Sequence, residues 1–155
     1  MGSGTGTGPA GIKASFFHSG IVVSDLDQAM TELEQATGAQ WLSPQERPDG
    51  DGVVRVCFSQ TAPYIELIEG NPGGLWPTAG GPRVDHLAYW TEAFEADCAH
   101  LDGMGLRREA GGASVWGGNW AYFRVPAIGI RLELCDTAGR DAFFERWKFA
   151  GHTPA

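Results

Sequence analysis

Two histidines and two glutamates stand at matching intervals in the chain. His18 lies in SFFHSGIVV with Glu66 48 residues later, and His86 lies in VDHLAYW with Glu133 47 residues later. All four lie within apolar stretches that predict buried strands. Two neutral imidazoles and two carboxylates balance the charge of a divalent cation, and nitrogen and oxygen donors suit Ni, Co, Zn, Mn or Fe. The pattern therefore predicts one divalent-metal site formed by all four residues.

Such a site favours chemistry at a carbonyl group. An octahedral ion with four protein ligands keeps two positions for water or substrate, and it polarises a carbonyl, stabilises an enolate or lowers the pKa of bound water. A carboxylate beside the ion can then transfer a proton. Two other interpretations stay open. Each histidine could be a satisfied core residue, and duplicated halves could retain these four residues without binding a metal.

The elements that must position these residues occur twice in the same order, with a period of 68 residues. A histidine strand precedes an amphipathic helix, a short strand and two further strands, the last of which carries the glutamate. This order predicts two tandem βαβββ modules that pair into one curved, partly closed barrel around a shared cleft. We expect short second strands at Gln40–Leu42 and Leu106–Glu109, a loop at Pro44–Gly52, a turn at Gly111–Gly112 and an extended segment at Ser114–Trp116.

The predicted boundaries follow from these elements and from the Gly- and Pro-rich segments between them. They are a tail at 1–14, a first module at 15–70, a linker at 71–82, a second module at 83–137, a C-terminal helix at 138–150 and a tail at 151–155.

Composition narrows the classes of partner. The net charge of −8 argues against nucleic acid and anionic membranes and leaves a small molecule as the expected partner. No apolar run reaches the ~18 residues of a membrane span. The three cysteines lack CxxC spacing and are typical of reduced residues in a cytoplasmic protein. A homodimer is compatible with the sequence, because the linker would let the modules pair within one chain or exchange between two.

The chain resembles the vicinal oxygen chelate superfamily, which includes glyoxalases, bleomycin resistance proteins and extradiol dioxygenases. FFHSGIVVSDLDQAMTELEQATGAQW is similar to its opening module, VDHLAYWTEAFEADCAHLDGMG to its second module, and YIELIE and IRLELC to its glutamate-bearing strands. The resemblance implies a glyoxalase-like α+β fold with a curved mixed sheet. It also places His18, Glu66, His86 and Glu133 on the metal-ligand positions.

The ligand pattern is most similar to two branches, glyoxalase I and methylmalonyl-CoA epimerase. The resemblance to them implies an isomerase or lyase that transfers a proton through a metal-held enolate. Glu133 or Glu66 would be the base, and Glu46 falls near the place of a further glutamate in the epimerase. Two alternatives are an Fe- or Mn-dependent dioxygenase, with Glu66 off the metal, and a metal-free bleomycin-resistance-type protein that binds a flat ligand between tryptophans.

Two sets of side chains bear on the substrate. An apolar or aromatic pocket is indicated by Trp90, Trp116, Trp120 and Tyr122. An inward-facing arginine could bind an anionic substrate, and the predicted strands carry Arg55, Arg124 and Arg131.

Overall fold

The computed structural model describes residues 11–151, which form eight strands and three α-helices. In chain order these are β1 (Ala14–Val23), α1 (Leu26–Thr37), β2 (Gln45–Asp49), β3 (Gly52–Phe58), β4 (Tyr64–Glu69), β5 (Arg83–Thr91), α2 (Phe94–Gly103), β6 (Arg107–Ala113), β7 (Asn119–Val125), β8 (Ile130–Asp136) and α3 (Arg140–Trp147). A single 3₁₀ turn, Thr137–Gly139, precedes α3. The predicted tail residues 1–10 and 152–155 lie outside the described residues.

All eight strands form one sheet in the order β2-β3-β4-β1-β5-β8-β7-β6. The second half of this order repeats the first half in reverse, so the modules are related by an approximate twofold axis between β1 and β5. These two strands are antiparallel, whereas each pairs in parallel with the glutamate strand of its own module, β4 or β8. The predicted α+β fold is confirmed, and here the two modules pair within one chain.

Local sequence explains where α1 begins and ends. The Asp25 side chain accepts a hydrogen bond from the Gln28 backbone N–H, as an N-cap residue does. At the other end Gly38 adopts φ 76°, the left-handed conformation that ends many helices. The second helix begins at Phe94 and has no side-chain cap, although the Thr91 hydroxyl accepts a hydrogen bond from the Ala93 N–H.

The predicted loop at Pro44–Gly52 is wrong, because most of it is strand β2, an edge strand that pairs with β3. Gly50 and Asp51 alone form the hairpin turn between the paired residues Asp49 and Gly52. The segment looks like a loop because an edge strand tolerates proline and charge, which central strands exclude. The predicted short strand at Gln40–Leu42 is reduced to an isolated bridge between Trp41 and Ser59.

The opposite edge produced the equivalent error. The predicted turn at Gly111–Gly112 lies within β6, and the predicted extended segment Ser114–Trp116 is the turn that follows it. There the Ser114 N–H donates to the Gly118 carbonyl at 2.9 Å. Both errors concern edge strands, whose glycines and polar residues carry a weak hydrophobic signal.

The helices cover the two faces of the sheet. α1 and α2 each pack on the face away from the cleft, against the strands of their own module. α3 lies on the opposite face, the concave one, where Phe143, Phe144 and Trp147 join the aromatic core around Phe17 and Phe58. Within residues 11–151, no helix has the length and apolar character needed to span a membrane.

Candidate metal centre

The concave face brings His18, Glu66, His86 and Glu133 together at the junction of the two modules. Strand register explains why: Glu66 lies beside Gly20 of β1, and Glu133 lies beside Ala88 of β5. Each glutamate thus stands next to the position two residues after a histidine, on the same face of the sheet. The predicted convergence of residues up to 115 positions apart is therefore present in the structure.

The donor atoms have the separations expected of ligands to one ion. The two histidine Nε2 atoms are 3.0 Å apart, and Glu66 Oε2 lies 3.1 and 3.2 Å from them. Glu133 Oε2 lies 3.6 and 3.4 Å from the same two nitrogens. Ligands at about 2.1 Å from an ion stand roughly 3.0 Å apart at right angles and roughly 3.4 Å apart at the tetrahedral angle. The two histidines and Glu133 thus form a group that could hold a metal ion, and Glu66 Oε2 lies within 3.2 Å of both histidine nitrogens.

The charge distribution of the protein alone also calls for a cation here. Burial by itself lowers the pKa of His86, but the carboxylates of Asp85, Glu66 and Glu133 outweigh it and raise that pKa to about 10. Burial likewise opposes ionisation of Glu66, yet His18 and His86 hold its pKa far below the usual range. The cluster thus retains a proton at neutral pH, and a divalent ion would supply positive charge in its place.

His86 is oriented by a buried network that sequence reasoning missed. Its Nδ1 lies 3.0 Å from the Asp85 carboxylate, which leaves Nε2 for the cluster. Asp85 in turn accepts a 2.5 Å hydrogen bond from Arg131, which also donates to the Leu75 carbonyl. His18 differs, because its Nδ1 is buried without a partner among residues 11–151. The sequence signal for this network is the aspartate directly before His86.

Gly20 makes room for His86. A Cβ atom at Gly20 would stand 2.0 Å from His86 Cε1 and 2.3 Å from its Nε2. The backbone of Gly20 has no positive φ that would by itself demand glycine. The missing side chain is therefore required by the approach of the imidazole ring.

A cavity of about 480 Å³ opens beside the four residues and is lined by both modules and by α3. His18, Glu66 and Glu133 form part of its wall. The aromatic prediction is supported, since the cavity is lined by Phe17, Phe58, Trp76, Trp90, Trp116, Trp120, Tyr122 and Phe143. Such a lining suits an apolar or flat ligand.

The three arginines singled out in the sequence have carboxylate partners. Arg55 binds Asp27 of α1 on the face away from the cleft. Arg124 and Arg131 face inward, but they bind Glu109 and Asp85.

Glu46 stands apart from the other predicted catalytic residues. It is exposed and borders the cavity, but its register partner in β3 is Arg55. Directly paired residues share a face, so the Glu46 side chain lies on the face that carries α1. Its neighbour Arg47 points inward instead, and Arg47 Nη1 lies 3.7 Å from Glu66 Oε1. The catalytic role of Glu46 stays a prediction.

A family model described as the glyoxalase/bleomycin resistance protein/dioxygenase superfamily matches residues 17–123. Similar solved structures include methylmalonyl-CoA epimerase from Mycobacterium tuberculosis, with 21% identity, a TM-score of 0.62, and 83% of this chain and 91% of that one covered. A hypothetical protein from Bacillus halodurans C-125 has 19% identity and a TM-score of 0.66 over 80% and 94% of the two chains. A variant of Streptomyces coelicolor methylmalonyl-CoA epimerase, in complex with 2-nitronate-propionyl-CoA, has 20% identity and a TM-score of 0.61 over 78% and 95%. At these identities the likeness shows the fold, and no curated protein matches the chain.

Proposed function

The chain belongs to the glyoxalase/bleomycin resistance protein/dioxygenase superfamily, and from this membership we propose that it is a divalent-metal-dependent isomerase or lyase. The reaction is proton transfer at a carbon beside a carbonyl group. The observation that carries the proposal is the convergence of two imidazoles and two carboxylates beside an aromatic cavity, with carboxylate oxygens 3.1–3.6 Å from histidine nitrogens that are 3.0 Å apart.

In this proposal His18, Glu66, His86 and Glu133 hold the ion. When bound, the ion polarises the substrate carbonyl and stabilises negative charge on its oxygen. Glu133 is the better-placed base, because 14% of its side chain is exposed, against 6% for Glu66. Glu66 is also committed on both sides, with Oε2 toward the histidines and Oε1 toward Arg47. The aromatic wall excludes water from the reacting carbon and orients the substrate.

The similar structures support this class of reaction. One of them is methylmalonyl-CoA epimerase in complex with methylmalonyl-CoA and NH4+. Inversion of a carbon centre beside a carbonyl group can proceed by removal and return of a proton. The fold is thus compatible with acid–base work beside a carbonyl group, and the cluster supplies carboxylates that can perform it.

Two alternatives make different use of Glu66 and of the metal. A dioxygenase would need only the triad His18, His86 and Glu133, whose ligand atoms lie within 4.8 Å of one another. Glu66 Oε2, however, lies closer to both histidine nitrogens than Glu133 Oε2 does, which favours the four-ligand set. A metal-free binding protein would have no need for three buried ionisable groups and the half-buried Glu133 beside its ligand, because burying such groups is costly.

Elemental analysis of protein purified without added metal tests the first part of the proposal, and we expect about one divalent ion per chain. The reaction is tested by α-proton exchange with D₂O, followed by NMR on a panel of 2-oxo acids, thioesters and hemithioacetals, before and after chelation. Exchange should require the ion and should fall by about 10²–10⁴-fold in Glu133→Gln.

The comparison of Glu133→Gln with Glu46→Gln separates the two assignments, because Glu46 lies on the other face of the sheet. Full exchange in Glu133→Gln, or in chelated protein, would contradict the proposal. Oxygen uptake coupled to substrate loss would indicate the dioxygenase.

A further inference from the structure

Arg47 pairs by charge with Glu66 but makes no hydrogen bond within the described residues, and its guanidinium group lies beside the predicted ligands. Its Nη1 lies 3.7 Å from Glu66 Oε1, which is close enough for charge attraction but too far for a hydrogen bond. Its Nη2 is buried and has no acceptor among residues 11–151. The guanidinium lies over the Trp147 ring at 5.3 Å, which holds it in place. Arg47 therefore has free donors at a fixed position on the cavity wall.

The other inward-facing arginines do not have this freedom. Arg131 donates to Asp85, and Arg124 makes two hydrogen bonds to Glu109. Those guanidinium groups border a separate polar pocket on the other side of the cluster. Arg47 is thus the arginine that remains available to a ligand in the aromatic cavity near the four predicted ligands.

Charge balance gives the sign of that ligand. Glu66 and Glu133 would neutralise a divalent ion, so the neighbouring Arg47 would present a positive charge to the cavity, which Glu46 and Asp136 also border. A carboxylate on the substrate would balance it, and the planar fork of a guanidinium matches a carboxylate with two parallel hydrogen bonds. The site therefore favours an occupant that carries a carboxylate.

The rest of the lining limits the size and shape of that occupant. The wall is largely aromatic, and a volume of about 480 Å³ suits a compact molecule with a flat apolar part. The cations in the described lining are Arg47 and the exposed Arg146. Two positive charges are too few to neutralise several phosphates. We infer that the substrate is a compact carbonyl compound bearing a carboxylate and a flat apolar group, and that Arg47 binds the carboxylate. This inference rests on the proposed function for its reaction, but not for its binding.

Two probes that differ only in the carboxylate test the inference: phenylpyruvate and phenylacetone. Their affinities are measured by calorimetry with metal-free and Co²⁺-loaded protein. We expect the wild type to bind phenylpyruvate at least about 10-fold more tightly in both forms. Arg47→Gln should lose about 10- to 100-fold in phenylpyruvate affinity and change little for phenylacetone.

Arg146→Gln is the matched control, since it removes an exposed arginine from the same lining and should behave like the wild type. Arg47→Lys keeps the positive charge without the planar guanidinium group, so its phenylpyruvate affinity should lie between those of the wild type and Arg47→Gln. It replaces Arg47→Gln as the test if that variant does not fold. The inference would be overturned if the Arg47 variant lost affinity equally for both probes, or if it still preferred phenylpyruvate to phenylacetone as the wild type does. It would also be overturned if the wild type did not bind phenylpyruvate. A protein that binds no metal but discriminates between the probes through Arg47 would refute the proposed function alone.

Discussion

Replacing Gly20 by alanine tests whether the position of His86 depends on a missing side chain. The new Cβ would stand 2.0 Å from His86 Cε1, whereas carbon atoms pack at about 3.5 Å. The ring would have to move by about 1.5 Å to relieve the contact. His86 is fully buried, with Tyr122 at 5.1 Å between ring centroids and Asp85 on its Nδ1, so it has little room to move.

Two measurable losses follow from this contact. Overpacking of this kind costs about 1–3 kcal/mol of unfolding free energy. Metal sites tolerate ligand displacements of only about 0.2 Å, so Gly20→Ala should also weaken metal affinity by about 10- to 100-fold. Urea unfolding of the metal-free protein gives the first quantity, and Co²⁺ titration against a chelator gives the second.

Gly103→Ala is the control, because Gly103 ends α2 and a Cβ there would meet nothing within 4 Å. That change should stabilise the protein by about 0.4–1 kcal/mol and leave metal affinity unaltered. If Gly20→Ala bound Co²⁺ like the wild type and unfolded at the same urea concentration, the steric account of the site would be refuted.

Three further predictions concern groups around the site. Asp85→Asn removes the buried charge that Arg131 faces, so the free energy of unfolding should fall by about 3 kcal/mol in urea titrations, and an unchanged value would contradict the pairing. The hydrogen-bonded Arg124 guanidinium lowers the pKa of Glu109 below its ordinary value of 4.5, so this pair stabilises the protein above that pH and the contribution is lost as pH falls. The wild type should accordingly lose its stability advantage over Glu109→Gln between pH 6 and pH 3, and a constant difference would oppose this. Burial raises the pKa of Cys57 to about 12, so iodoacetamide at pH 8 should leave this thiol unmodified until urea unfolds the protein, as peptide mass spectrometry would reveal.

The central strands could be predicted from the sequence because burial on both faces leaves a strong signal. The sequences of β1 and β5 are apolar runs with one histidine each, and those of the glutamate strands are apolar runs with a glutamate inside them. The edge strands could not, because β2 contains Pro48 and charged residues and β6 contains Gly111 and Gly112. Edge strands commonly contain proline or charged residues, because these residues keep the unpaired backbone groups from pairing with other chains.

The four predicted ligands could be found because each half of the duplicated sequence contains one histidine and one glutamate at matching positions. Arg47 could not be predicted in this way as a residue that faces the cavity, because the sequence predicts a loop where the structure has strand β2. Glu46 is predicted instead because the resemblance to the epimerase implies a glutamate near this place, and a shift of one residue along a strand moves a side chain to the other face. Predicting which of two neighbours faces a cleft thus depends on identifying the strand first.

The halves match in their predicted ligands but differ in the residues that stand behind them. Phe17 precedes His18 where Asp85 precedes His86, and Tyr64 lies two residues before Glu66 where Arg131 lies two residues before Glu133. The ion pair behind the second half is therefore replaced, in the first half, by an aromatic contact with ring centroids 5.9 Å apart. This explains why His18 Nδ1 has no partner within the described residues, whereas His86 Nδ1 has Asp85. The residues that orient His86 thus line a polar pocket, while Phe17, which stands in the place of Asp85, lines the aromatic cavity.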